Sequence, residues 1–238
     1  MFPYDSALGA AVQHPIHSIA DVVEIMQTID ANCTDGDGLK WFNWLYLQVT
    51  QAVETRVSGG AFDDPAWLAQ LDVQFAQLYF RALESALTGA SPPGCWQALF
   101  EARHNIRIAR IQFALCGMNA HINHDLPQAI VSTCKVTDTA PQHGNSLYND
   151  YTAVNSTLDT LIEAARQALH VRLLGDALPA ISNLEDLIAG WDISAARECA
   201  WRNAESLWNL PSLFAAGLME SIDGLTTVIG KALLAPVP

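Results

Sequence analysis

The densest chemistry in the chain lies in one central segment, Gly117-Met118-Asn119-Ala120-His121-Ile122-Asn123-His124-Asp125-Leu126-Pro127. Two amides, two imidazoles and a carboxylate follow an apolar run that includes Ile108, Ile111, Phe113 and Leu115. Polar groups in such a setting need hydrogen bonds, a metal or a substrate. On a helix, His121 and Asp125 share a face. Gly117 and His124 extend the same stripe. Histidine and carboxylate at this spacing can reach one divalent ion, zinc or manganese, with His121, His124 and Asp125 as ligands. A metal would need at least one more ligand from another helix. The same pair can instead act as a base held by an orienting carboxylate. A third reading is structural: a hydrogen-bonded knot at a bend before Pro127, with Asp125 capping the restarted helix.

Partners for this segment must come from other elements. Asp72 is the first candidate, because it lies mid-helix with Phe75 and Tyr79 on its face. Asp63 and Asp64 are second candidates, although Asp64 reads as a helix cap. The expected catalytic groups are therefore His121, Asp125, Asp72 and Tyr79. Asn119, Asn123, Phe75, Arg197 and Trp201 are the expected substrate contacts, with Arg197 stacking on Trp201 one turn later. Arg103, Arg107 and Arg110 read as a solvated, salt-bridged face. The loop Thr34-Asp35-Gly36-Asp37-Gly38 is not a calcium loop. With Gly38 sixth, Cys33 and Trp44 would fall where carboxylates are required. No GxSxG, GxxxxGK[ST] or GxGxxG occurs, which removes the familiar hydrolase elbow, P-loop and dinucleotide fingerprint.

The central segment resembles the signature of an uncharacterised family of bacterial and fungal proteins. Phe62-Asp63-Asp64-Pro65-Ala66-Trp67, Leu71-Asp72-Val73-Gln74-Phe75, Asn149-Asp150-Tyr151-Thr152-Ala153-Val154-Asn155 and Ala196-Arg197-Glu198-Cys199-Ala200-Trp201 are similar to that family too. The resemblance spans roughly residues 20–210 and implies an all-helical fold without an established activity. His121 and Asp125 before a proline also resemble the HxxxD motif of zinc-dependent phospholipases C and single-strand nucleases. This chain, however, begins Met-Phe where that superfamily has Trp. The segment from Asn149 resembles the magnesium triad of class I terpene cyclases, but Ala153 and Thr157 stand where Ser and Glu are needed.

The elements that must position these groups follow a helical period. Ser18 caps a first helix running to about Cys33. A second spans Leu39 to Val57 and ends at Gly59-Gly60. Asp64 and Pro65 open a third that reaches Leu87. A short fourth covers Trp96 to Ala102. A fifth starts near Asn105 and carries the central segment, with Pro127 bending or restarting it. After an irregular loop over 136–146, a sixth spans Leu147–Leu173 and a seventh Ser182–Ala189. An eighth spans Ile193–Trp208, and an apolar last helix follows Pro211, from Ser212 to Leu234. Strand-like alternation is absent. The prediction is all-α: one domain over 1–238, a bundle of seven to nine helices, with 16–234 as its core and 1–15 as an extension.

Composition narrows the function classes. The 238 residues are 50% hydrophobic and 16% charged, with seven Trp, enough for one sizeable core. Twelve basic against 25 acidic residues give a net charge of −13. That charge disfavours nucleic acid and anionic membrane surfaces as partners. Cys33, Cys95, Cys116, Cys134 and Cys199 are widely spaced, which argues against a disulfide framework or a zinc knuckle. Cys116 reads as a buried packing thiol. The N-terminus lacks the basic and apolar regions of a signal peptide, and no stretch reads as a bilayer span. A cytoplasmic protein with free thiols and a small-molecule partner is expected. Three functions fit. The first is an enzyme on a small, fairly apolar metabolite, in its most concrete form a metal-assisted hydrolase centred on His121, His124 and Asp125. The second is a metal-free cyclase or isomerase. The third is a binding or scaffold protein with a structural motif.

Overall fold

Local capping chemistry sets most helix boundaries. The structure, a computed structural model, describes residues 2–161, 163–164 and 192–236. Helix α1 spans Asp5–Val12 and α2 Ile19–Asn32. Ser18 closes a capping box on α2: its hydroxyl accepts the Asp21 N–H, and the Asp21 carboxylate accepts the Ser18 N–H. Asp37 caps α3, Gly38–Ser58. Asp64 caps α4, Pro65–Thr88, with Pro65 in its first turn and Gly89 ending it at φ 80°. Helices α5 (Gly94–Ala102) and α6 (Arg110–Ala120) follow. A π-helical segment, His121–Asp125, leads into α7, Leu126–Val136. Then come α8 (Ser146–Ala153), α9 (Ile193–Asn209) and α10 (Ser212–Leu233). The described residues contain no strand, so the protein is an all-α bundle.

The helices enclose one continuous apolar core. Trp41, Trp67, Trp96 and Trp201 are among its largest fully buried side chains. Helix α6 packs against α3, α7 against α4 and α9, and α10 against α5 and α6. The central segment therefore sits inside the bundle with helices on every side. Glycines set the closest approach. A Cβ on Gly117 would stand 2.3 Å from the Phe42 ring, and one on Gly38 would stand 2.3 Å from Phe113. Only glycine lets α3 and α6 come this close.

Four expectations change. The first residues are not an extension: α1 buries Leu8 and Val12 in the core. Arg103 is not on a solvated face. It is buried, its Nε 3.0 Å from both Asp37 carboxylate oxygens, with Asp5 3.3 Å from its terminal nitrogen. The expected long sixth helix is interrupted by a turn at Val154, and helix resumes over 155–161. The last helix, 22 residues long, is long and apolar enough to cross a bilayer by length and composition. Glu220, Asp223 and Lys231 interrupt its apolar run, so no unbroken apolar stretch marks it in the sequence. The expected seventh helix, Ser182–Ala189, lies outside the described residues.

Candidate functional site

Pro127 explains the backbone beneath the site. Inside an α-helix its ring would press on the carbonyl of Asn123, and it has no N–H to offer that carbonyl. The chain does not break. It shifts to the wider π pattern, in which the Leu126 N–H bonds the His121 carbonyl five residues back. Such turns are uncommon and concentrate at functional sites. Asp125 makes no capping bond, contrary to the structural expectation for it. Its carboxylate turns inward.

Both Asp125 oxygens are occupied. Oδ2 accepts from His121 Nδ1 at 3.0 Å and from Trp96 Nε1 at 2.9 Å. Oδ1 accepts from His124 Nδ1 at 2.7 Å. One carboxylate thus clamps two imidazoles and an indole, and the network assigns the Nδ1–H tautomer to both histidines. Burial pushes the Asp125 carboxyl upward, but the hydrogen bonds from His121 and His124 outweigh it and leave its pKa below the ordinary value. Burial lowers the pKa of His121 despite the neighbouring carboxylate, so its ring is neutral at pH 7. His121 and Asp125 are each 1% exposed.

His121 lies in an aromatic nest. Its ring stacks on Phe75, with centroids 3.5 Å apart and planes 6° apart, and meets Tyr46 edge-on at 4.5 Å. Phe42, Trp96 and Tyr79 complete the surround. The glycine contact between α3 and α6 accounts for this arrangement. Gly117 meets Phe42, and one turn further along both helices His121 meets Tyr46. Beyond Tyr46 and Phe75 is a cavity of about 50 Å³, lined also by Asp72, Leu126 and Arg197. Burial, with a smaller push from Glu54, raises the Asp72 carboxyl to about 7. Three buried polar atoms around this nest have no protein hydrogen-bond partner: His121 Nε2, Asp72 Oδ2 and the Tyr46 hydroxyl.

The structure brings together His121, Asp125, His124 and Phe75, and places Asp72 and Arg197 on the adjoining cavity. Other predicted residues have different work. The Tyr79 hydroxyl donates to Asn43 at 3.4 Å, and its ring stacks on Trp96. Asn119 donates to the Thr226 carbonyl and accepts from Asn123, tying α6 to α10. Arg197 lies over Tyr151 rather than Trp201, and donates to Asn155 and the Tyr151 carbonyl. Trp201 packs among Trp67, Tyr148 and Tyr151. Asp64 caps α4, and Asp150 accepts the backbone N–H groups of Asp63 and Asp64.

Sequence reasoning missed Tyr46, which stands where Tyr79 was expected. It also missed Trp96 as a donor to Asp125, and the pair Cys95 and Asp223. Cys95 Sγ, a ring nitrogen of His124 and an Asp223 oxygen lie within 4.8 Å of one another. Among the described residues this is the group of three that can gather round an ion. It shares only His124 with the predicted ligand set.

No curated protein and no solved structure matches the chain. A family model described as a family of unknown function, DUF5995, matches residues 19–236. That span takes in every helix from α2 to α10, the clamped Asp125 and the aromatic nest, and the chain belongs to this family.

Proposed function

We propose that this protein is an enzyme that moves a proton on a small, fairly apolar molecule, with His121 as base and Asp72 as acid. The supporting observation is the set of three unpartnered polar atoms in one aromatic nest beside a cavity. A buried polar atom without a partner costs about 1–3 kcal/mol, so three together need a reason that stability does not supply. A bound molecule would give each of them a partner. Asp125 holds the His121 ring with Nδ1–H toward itself and leaves the Nε2 lone pair for a substrate proton. Asp72, raised to about 7, keeps a proton to return near neutral pH. The cavity, about 50 Å³, takes only the reacting end of a small molecule. Five unpaired cysteines support a reducing compartment for this work.

This geometry favours the isomerase or cyclase reading over a metal-assisted hydrolysis at His121. The Nδ1 atoms of both histidines are spent on Asp125, which speaks against a shared ion held by these three residues. The test has two parts. Nitrogen-15 NMR of the histidine rings should find the His121 Nε2 unprotonated at pH 7. A panel of small apolar ketones, lactones and alkenes should then be screened for isomerisation and solvent-deuterium exchange. Turnover should fall about 10²–10⁴-fold in His121→Ala. An Nε2-protonated ring, or turnover indifferent to His121→Ala, rejects the assignment and favours a binding protein.

A further inference from the structure

A second centre lies on the other side of Asp125, and it is independent of the proton-transfer reading. Three elements meet there. Cys95 is the second residue of α5 and is fully buried. His124 belongs to the π segment and is 8% exposed. Asp223 comes from the middle of α10. One donor atom from each lies within 4.8 Å of the other two.

Part of this arrangement has a plain structural use. The Asp223 carboxylate accepts the Gly94 N–H at 3.0 Å and the Cys95 N–H at 2.9 Å, so it closes the start of α5. The Cys95 thiol also donates to this carboxylate, which accounts for both groups, but not for an imidazole gathered at the same place. Nor does it account for the way His124 is held. Asp125 Oδ1 takes the Nδ1 proton at 2.7 Å, which leaves the other ring nitrogen as a lone-pair donor. A carboxylate that orients a histidine from behind is the usual support of a metal-bound imidazole.

We propose that Cys95, His124 and Asp223 form a site for one divalent transition-metal ion, zinc by its donor chemistry. Thiolate, imidazole and carboxylate together suit zinc, while magnesium and calcium prefer oxygen alone. A tetrahedral ion with bonds of roughly 2.0–2.3 Å keeps its donors about 3.3–3.8 Å apart, so closure asks for a contraction of about 1 Å. Three protein ligands leave the fourth position to water. Binding replaces the Cys95 thiol proton, which leaves to solvent. The ion would pin α10 to α5 and to the π segment through side chains. His124, one of the expected ligands, would bind with partners other than those expected from its own helix.

The test is a Co²⁺ titration of full-length, tag-free protein after chelator treatment, read by absorption. One equivalent per chain should bind, with a thiolate-to-cobalt charge-transfer band and the intense visible bands of tetrahedral cobalt. Cys95→Ser should abolish the charge-transfer band. Asp223→Asn should weaken binding at least tenfold, and Asp125→Asn about 10–100-fold. Cys199→Ser, which alters an exposed thiol, should change nothing. Circular dichroism must show a helical spectrum for each variant, and if Cys95→Ser does not fold, Cys95→Ala takes its place. A protein that binds no cobalt at excess metal, or a charge-transfer band that survives loss of Cys95, overturns the site. Neither result bears on the tautomer of His121.

Discussion

Asp72 carries an acid in a place where its charge is costly, and this has a consequence for stability. Its pKa rises from 3.8 to about 7 on folding, chiefly through burial. Between those values the folded protein holds a proton that the unfolded chain has released. Stability at this residue is therefore fully present below about pH 4 and is lost as pH rises through 7, by up to about 1.4 kcal/mol per pH unit. Asp72→Asn removes the titration. The urea midpoint of the variant should gain on that of the wild type from pH 5 to about pH 7 and level off above it. A gap that does not change with pH would show that Asp72 is ionised in the folded state. The comparison isolates Asp72, because the buried neutral His121 acts in the opposite sense in both proteins.

Helices α3 and α6 meet through a glycine, and the site depends on that contact. A methyl at position 117 would stand 2.3 Å from the Phe42 ring and 2.7 Å from its Cβ. The ring cannot retreat freely, because Tyr46, Tyr79 and Trp96 surround it. Gly117→Ala should cost about 1–3 kcal/mol by overpacking. It should also disturb the register between His121 and Tyr46, one turn along. Thermal melting gives the first effect, and near-ultraviolet circular dichroism the second. An alanine variant with wild-type melting and spectrum would mean that the helices separate without cost.

Across the whole molecule, Arg103 ties distant parts of the chain together. Its guanidinium binds Asp37 at the start of α3 and Asp5 in α1, and Tyr4 donates to the same Asp37. The network joins the first residues to the end of α5. Removing one partner of a buried ion pair leaves the other charge without compensation, at a cost of about 3–5 kcal/mol. Arg103→Leu should lower the denaturation midpoint by that order, while Arg107→Leu, on an exposed residue, should leave it nearly unchanged. Equal effects would show that the network is incidental. The last helix, α10, presents Leu213, Phe214, Leu225, Val228 and Ile229 to the outside. It is anchored by Asp223, by Thr226 and by the carbonyls of Leu233 and Ala235, which accept from Gln112.

The sequence by itself determined what is local. Ser18, and Asp64 with Pro65, start helices because a side-chain oxygen reaches an N–H three residues on, a distance internal to the chain. The 3.6-residue period showed that His121 and Asp125 share a face, and they do bond. It placed Phe75 on the helix face of Asp72, and both residues line the cavity. Tertiary structure alone decided which faces meet. Tyr46 and Tyr79 are equally aromatic and equally buried, but only Tyr46 reaches the cavity, because Gly117 draws α3 against α6. Cys95 and Asp223 are 128 residues apart, and no spacing rule joins residues at that distance. The π turn at His121–Asp125 was foreshadowed by Pro127, but its wider register was chosen by packing. A helix keeps its own angular order whatever surrounds it, whereas its neighbours are set by the packing of every other helix at once.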